Sequence, residues 1–117
     1  METQQVLSFR GARGSVRNLT LRQSGVSESA VEITGGELTL EGCDISGKGD
    51  AGVLVRGAGT RPTIKGNVIH GGAGVGVLVS HWAAPVLEEN DISGHQLDGL
   101  VSELGKYKTV RSRLWYI

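Results

Sequence analysis

Apolar residues along this chain come in short bursts at every second position, and the bursts return about every two dozen residues. Four segments align, beginning at Val16, Leu40, Ile64 and Leu87 and ending at Leu21, Ile45, Ile69 and Ile92; their first members lie 24, 24 and 23 positions apart. Each is followed by a glycine (Gly25, Gly47, Gly71, Gly94) and then by a second alternating pair, Val31/Ile33, Val53/Val55, Val77/Val79 and Leu100/Ser102. A period of two predicts strands, and no window sustains the i, i+3, i+4, i+7 spacing of an amphipathic helix. Leu7 and Phe9 precede Val31 and Ile33 by 24 residues, so the sequence opens partway through a repeat.

One such repeat cannot bury its inward side chains, but repeats stacked about 4.8 Å apart form parallel ladders around a continuous apolar column. The alignment therefore predicts an all-β chain, a parallel β-helix solenoid of four to five coils of 23–24 residues. Four core columns follow: Val16/Leu40/Ile64/Leu87, Leu21/Ile45/Ile69/Ile92, Val31/Val53/Val77/Leu100 and Ile33/Val55/Val79/Ser102. Thirteen of the 19 glycines lie between positions 35 and 76, where sharp turns between short faces need them. From residue 104 the repeat is lost and three of the five aromatics appear (Tyr107, Trp115, Tyr116). Residues 1–103 are thus expected to be the β-helix, and 104–117 an irregular C-terminal cap over the last coil.

With 117 residues and 12 basic against 12 acidic groups, the chain has the length of one domain and no bulk charge to attract a polyanion. The zero is segregated: residues 1–22 carry +3, 23–103 carry −7 and 104–117 carry +4. An acidic middle disfavours nucleic acid and admits a basic protein surface. Neither a secretory leader nor a long apolar span is read in the sequence, and the single Cys43 excludes an intrachain disulfide. A cytoplasmic protein without membrane contact is expected.

Ile64-Lys65-Gly66-Asn67-Val68-Ile69-His70-Gly71-Gly72 and Leu87-Glu88-Glu89-Asn90-Asp91-Ile92-Ser93-Gly94, each followed by a Gly-Val-Leu-Val or Gly-Leu-Val-Ser strand, resemble the repeats of the pectin-lyase-like superfamily. The resemblance covers roughly residues 7–103 and implies a right-handed helix. Within the superfamily the turn asparagines look most like repeats of F-box proteins that select ubiquitination substrates, and of bacterial proteins related to the periplasmic copper-maturation family. Such repeats serve sugar lyases, hydrolases, epimerases and non-enzymatic scaffolds alike, so function has to be argued from a site.

Catalytic signals are weak. Asn67 and Asn90 share a column with Leu19 and Cys43 that is expected to face inward, where stacked amides form a structural ladder. Asp44 and Asp91 share a column but stand two coils apart with Val68 between them, about 9.6 Å and too far for one metal. Arg17, Glu41, Lys65 and Glu88 alternate in sign and read as a surface charge ladder. His70, His81 and His95 have no acid in their columns to fix a tautomer. No catalytic residue, metal ligand or cofactor is therefore assigned, and the chain leans away from being an enzyme.

The outward position between the paired core valines holds Leu54, Leu78 and Val101 in successive coils, after Glu32, and Trp82 follows in the turn beyond Leu78. An apolar column on a solenoid suggests a contact surface. The preferred reading is a non-enzymatic protein-recognition or scaffold module, adaptor-like and open to self-association, with Leu54, Leu78, Val101 and Trp82 as its interface. The alternative is a carbohydrate-binding or carbohydrate-active β-helix using Asp44, Asp91, His70 and His95.

Overall fold

A computed structural model describes residues 7–23, 29–72 and 74–93, together with the backbone of 100–103 and 109–114. Among the described residues thirteen strands follow one another: β1 (Leu7–Phe9), β2 (Arg13–Arg17), β3 (Thr20–Gln23), β4 (Val31–Ile33), β5 (Glu37–Glu41), β6 (Asp44–Gly47), β7 (Ala51–Arg56), β8 (Thr63–Lys65), β9 (Val68–His70), β10 (Val75–Ser80), β11 (Val86–Ser93), β12 (Leu100–Glu103) and β13 (Thr109–Leu114). Every pairing is parallel and joins a strand to its equivalent one turn away. The first sheet is β1-β4-β7-β10-β12; the second splits into two faces, β2-β5-β8 and β3-β6-β9, which β11 spans as a single strand. The first three turns thus have three strands each, the section of a parallel solenoid.

The registers are those that the 24-residue spacing implies. Leu40 pairs with Ile64 and Ile64 with Leu87, Ile45 with Ile69 and Ile69 with Ile92, and Val31 with Val53 and Val53 with Val77. All nine of these side chains are fully buried, because alternate residues of each short strand point into the column. At the first turn Val16 is only partly buried and Leu21 closes its column.

Glycine is obligatory at one corner. A Cβ on Gly36 would stand 1.9 Å from the Gly11 carbonyl oxygen, and its φ of 70° lies in the left-handed region. Close approach of consecutive turns, rather than flexibility, fixes the residue. Phe9 uses a second gap: a Cβ on Gly14 would meet its ring at 2.7 Å, so the ring lies over the place a side chain would take.

Two expectations need correction. Leu19 was expected to face inward with Cys43, Asn67 and Asn90, yet it is 52% exposed. Its carbonyl accepts the Asp44 N–H just as the Cys43 carbonyl accepts that of Val68, so the backbone repeats while the side chain does not. Leu19 belongs to the first described coil, where its column has one described neighbouring coil instead of two and Val16 is likewise only partly buried. Residues 109–114, expected in an irregular cap, form β13 in parallel register with β11, Leu87 opposite Val110 and Ile92 opposite Leu114, with a bulge between Glu88 and Asp91. The aromatics Tyr107, Trp115 and Tyr116 lie outside the described residues.

Ile69 is the central member of its column. Ile69→Ala is expected to lower unfolding stability by about 2–5 kcal/mol in urea titration, since stacked coils on both sides restrict collapse of the cavity. A loss below about 1 kcal/mol would contradict the packing described.

Candidate functional site

At the bend between the two faces of the second sheet the chain turns through a left-handed residue in four successive coils: Asn18, Gly42, Gly66 and Glu89, with φ of 57°, 65°, 64° and 54°. The next residue is the exposed Leu19 in the first of these coils and points inward in the other three, as Cys43, Asn67 and Asn90. Asn90 Oδ1 accepts the Asn67 backbone N–H at 3.0 Å, Asn67 Oδ1 accepts that of Cys43 at 2.9 Å, and the two side-chain amides are joined at 3.0 Å. Their Nδ2 groups donate to the carbonyls of Leu40 and Ile64, both at 2.9 Å. Buried amides thereby satisfy backbone groups that the bend removes from the strand ladders. This engaged pair has no group left to reach a ligand from the surface.

Cys43 in the same column is buried, its Sγ 3.5 Å from the Glu41 carbonyl and 3.8 Å from that of Val16. Among the described residues no group of three or more His, Cys, Asp or Glu side chains is placed to hold a metal ion. Among the described residues no helix is long and apolar enough to cross a membrane.

Outside, charge is laddered across the coils. Arg17 Nε is 3.0 Å from Glu41, as the alternating column implies, and Glu88 stands in register with Arg111. A second ladder was not singled out in the sequence: Glu37 lies between Arg13 at 3.4 Å and Arg61 at 3.5 Å. The spacing of 24 residues on each side was a sufficient signal for it. His70 has an acid partner after all, because Asp44 Oδ1 hydrogen-bonds its Nε2. The column rule missed this contact: Asp44 is in register with Val68, and the imidazole reaches it diagonally across the coil. Asp91 also pairs with Val68, from the other side, which leaves the two aspartates two coils apart. His95 lies outside the described residues.

The apolar column stands on the outer face of the first sheet. Glu32 pairs with Leu54, Leu54 with Leu78 and Leu78 with Val101; the Leu54 and Leu78 side chains are half-buried, and the side chain of Val101 lies outside the described residues. Beyond it, Ser80, His81, Trp82 and Ala83 form a tight turn closed by the Ala83 N–H on the Ser80 carbonyl at 3.3 Å. Both central residues are left-handed, His81 at φ 54° and Trp82 at 69°, as in the mirror-image type I′ turn that normally takes Asn-Gly. The corresponding turn of the preceding coil places glycines at its left-handed positions, Gly57 and Gly59. Here a histidine and a tryptophan occupy such positions, and Trp82 is 58% exposed. Bulky residues in this region cost about 1–2 kcal/mol each.

The chain belongs to the family described as right handed beta helix region, which matches residues 5–112. Its fold is accordingly a right-handed parallel β-helix, consistent with the pectin-lyase-like resemblance. No curated protein and no solved structure matches the chain.

Two expectations follow from these turns. Asn67→Ala orphans the Cys43 N–H and the Leu40 carbonyl, and should destabilise the chain by about 1–3 kcal/mol per group in chemical denaturation. Replacing His81-Trp82 by Asn-Gly should instead stabilise it by about 1–3 kcal/mol, read as a raised melting temperature. A lowered one would show that Trp82 packs for stability.

Proposed function

We propose that the protein is a non-enzymatic recognition module that presents one corner of its solenoid to a protein partner. The observation that carries this reading is the His81-Trp82 turn. A strained backbone keeps a large amphipathic ring exposed where the coil before it uses glycine. Strain retained in this way belongs to binding sites more often than to scaffolds, and tryptophan is among the residues that dominate binding energy. Leu54 and Leu78 on the adjoining face extend the apolar area beside it, and Val101 follows them in backbone register in the next strand. The fold's rigidity suits the role, since a surface held by stacked strands loses little entropy on binding.

The partner is a protein or a second copy of the chain, and a cytoplasmic setting suits a single buried cysteine. The carbohydrate-active alternative gains the Asp44–His70 contact, but the paired carboxylates of glycoside hydrolysis require a second acid about 5–10 Å away across a bound sugar. Asp91 meets that spacing at about 9.6 Å, two coils away, but Val68 occupies the position between the two carboxylates. Recognition of protein is the better supported reading.

The test compares wild type with Trp82→Gly and Leu78→Glu in cross-linking of the purified chain to captured partners, alongside light scattering for self-association. Partner or self contacts should map to residues 54, 78 and 82 and fall at least about tenfold in Trp82→Gly, an effect typical of an anchor residue. The reading fails if both variants retain every contact, or if a saccharide bound in their place is lost on Asp44→Ala.

A further inference from the structure

The corner that carries Trp82 also shapes a groove on the other side, over the first residues of β2, β5, β8 and β11. The turns that border it differ in length. The connections at residues 10–12 and 34–36 are three residues long, whereas those at 57–62 and 81–85 have six and five. The longer turns supply Arg61 and Ala84 to the lining of an open groove of about 460 Å³. The partly exposed Thr39 and Thr63, which pair in register, lie along it, and Val86 follows in the next coil.

The charge of the groove opposes that of the acidic middle of the chain. Arg13 and Arg61 enter from coils on either side of Glu37, and each touches its carboxylate through one nitrogen, at 3.4 and 3.5 Å. A guanidinium has five N–H donors, so most of the donor capacity stays available, and two cations against one anion leave the groove at +1. The side chains of Arg13 and Arg61 are 85% and 60% exposed. A carboxylate matches a guanidinium fork with bidentate geometry, and carboxylates spaced along an extended chain can reach Arg13 and Arg61 on either side of Glu37.

We propose that this groove binds an extended acidic segment of the protein partner, its carboxylates held by Arg13 and Arg61 with Glu37 as a built-in competitor. This rests on the recognition reading and gives its partner a chemistry. Four stacked strand positions span about 14 Å, the length of about four residues of extended chain. The segment runs along the solenoid axis, across the strands, so side chains rather than strand pairing read it. Trp82, two residues from Ala84, stands on a turn that lines the groove.

The probe is end-blocked tetraglutamate, titrated into the ¹⁵N-labelled full chain while arginine Nε–Hε and backbone signals are followed. Tetraglutamate should shift the Arg13 and Arg61 signals saturably, and end-blocked tetraglutamine should not. Arg13→Gln and Arg61→Gln together should weaken binding at least about tenfold, as loss of two charge-assisted contacts implies. Glu37→Gln should tighten it about three- to tenfold by freeing both guanidiniums. The proposal is overturned if the double variant binds as wild type does, if Glu37→Gln weakens binding, or if oligothymidylate of four nucleotides binds the same arginines as tightly. If Trp82→Gly loses the partner and the arginine variants keep it, recognition stands and the acidic segment falls.

Discussion

Register between successive coils is the constraint on which the molecule depends. Each strand is three to eight residues long and is not stable by itself; it persists because its backbone pairs with the equivalent strand one turn away and its inward side chains join a column. Ile45, Ile69 and Ile92 illustrate the coupling, being fully buried only because they lie over one another. A slip of one residue would turn each of them toward water, so the hydrophobic pattern fixes the register. The same periodicity then places every outward residue in a ladder, and the surface chemistry is a by-product of core alignment.

Ladders explain why the polar residues do so many different things at one spacing. Pointed inward at a bend, Asn67 and Asn90 complete the backbone hydrogen bonding that the corner interrupts. Turned outward, arginine and glutamate of consecutive coils pair across the sheet, as Arg17 with Glu41. Such exposed pairs contribute about 0–1 kcal/mol each, so their weight lies in distributing charge. Where longer turns border the row, Arg13, Glu37 and Arg61 line an open groove.

Departures from the repeat are the informative places. Left-handed corners cost nothing at Gly42 and Gly66, little at Asn18, and more at Glu89 and at the His81-Trp82 turn. A scaffold under selection for stability alone would carry glycine or asparagine at the latter positions. The Trp82 turn also joins the two outward surfaces, the Leu54/Leu78 column and the arginine groove, at a single corner.

The sequence by itself determined the solenoid, because several short alternating strands recurring every 23 or 24 residues bury their inward side chains by stacking coil on coil, and it determined the core columns and the amide ladder at Asn67 and Asn90. It also placed Leu54, Leu78 and Trp82 in neighbouring coil positions. Only the tertiary structure decided that Leu19 leaves its column, that Asp44 reaches His70 diagonally, that residues 109–114 continue the stack, and that His81 and Trp82 are left-handed. The division has a physical reason: periodicity specifies which residues share a position along the axis, whereas side-chain reach, turn length and backbone sign depend on the neighbouring coil and are not written in the repeat.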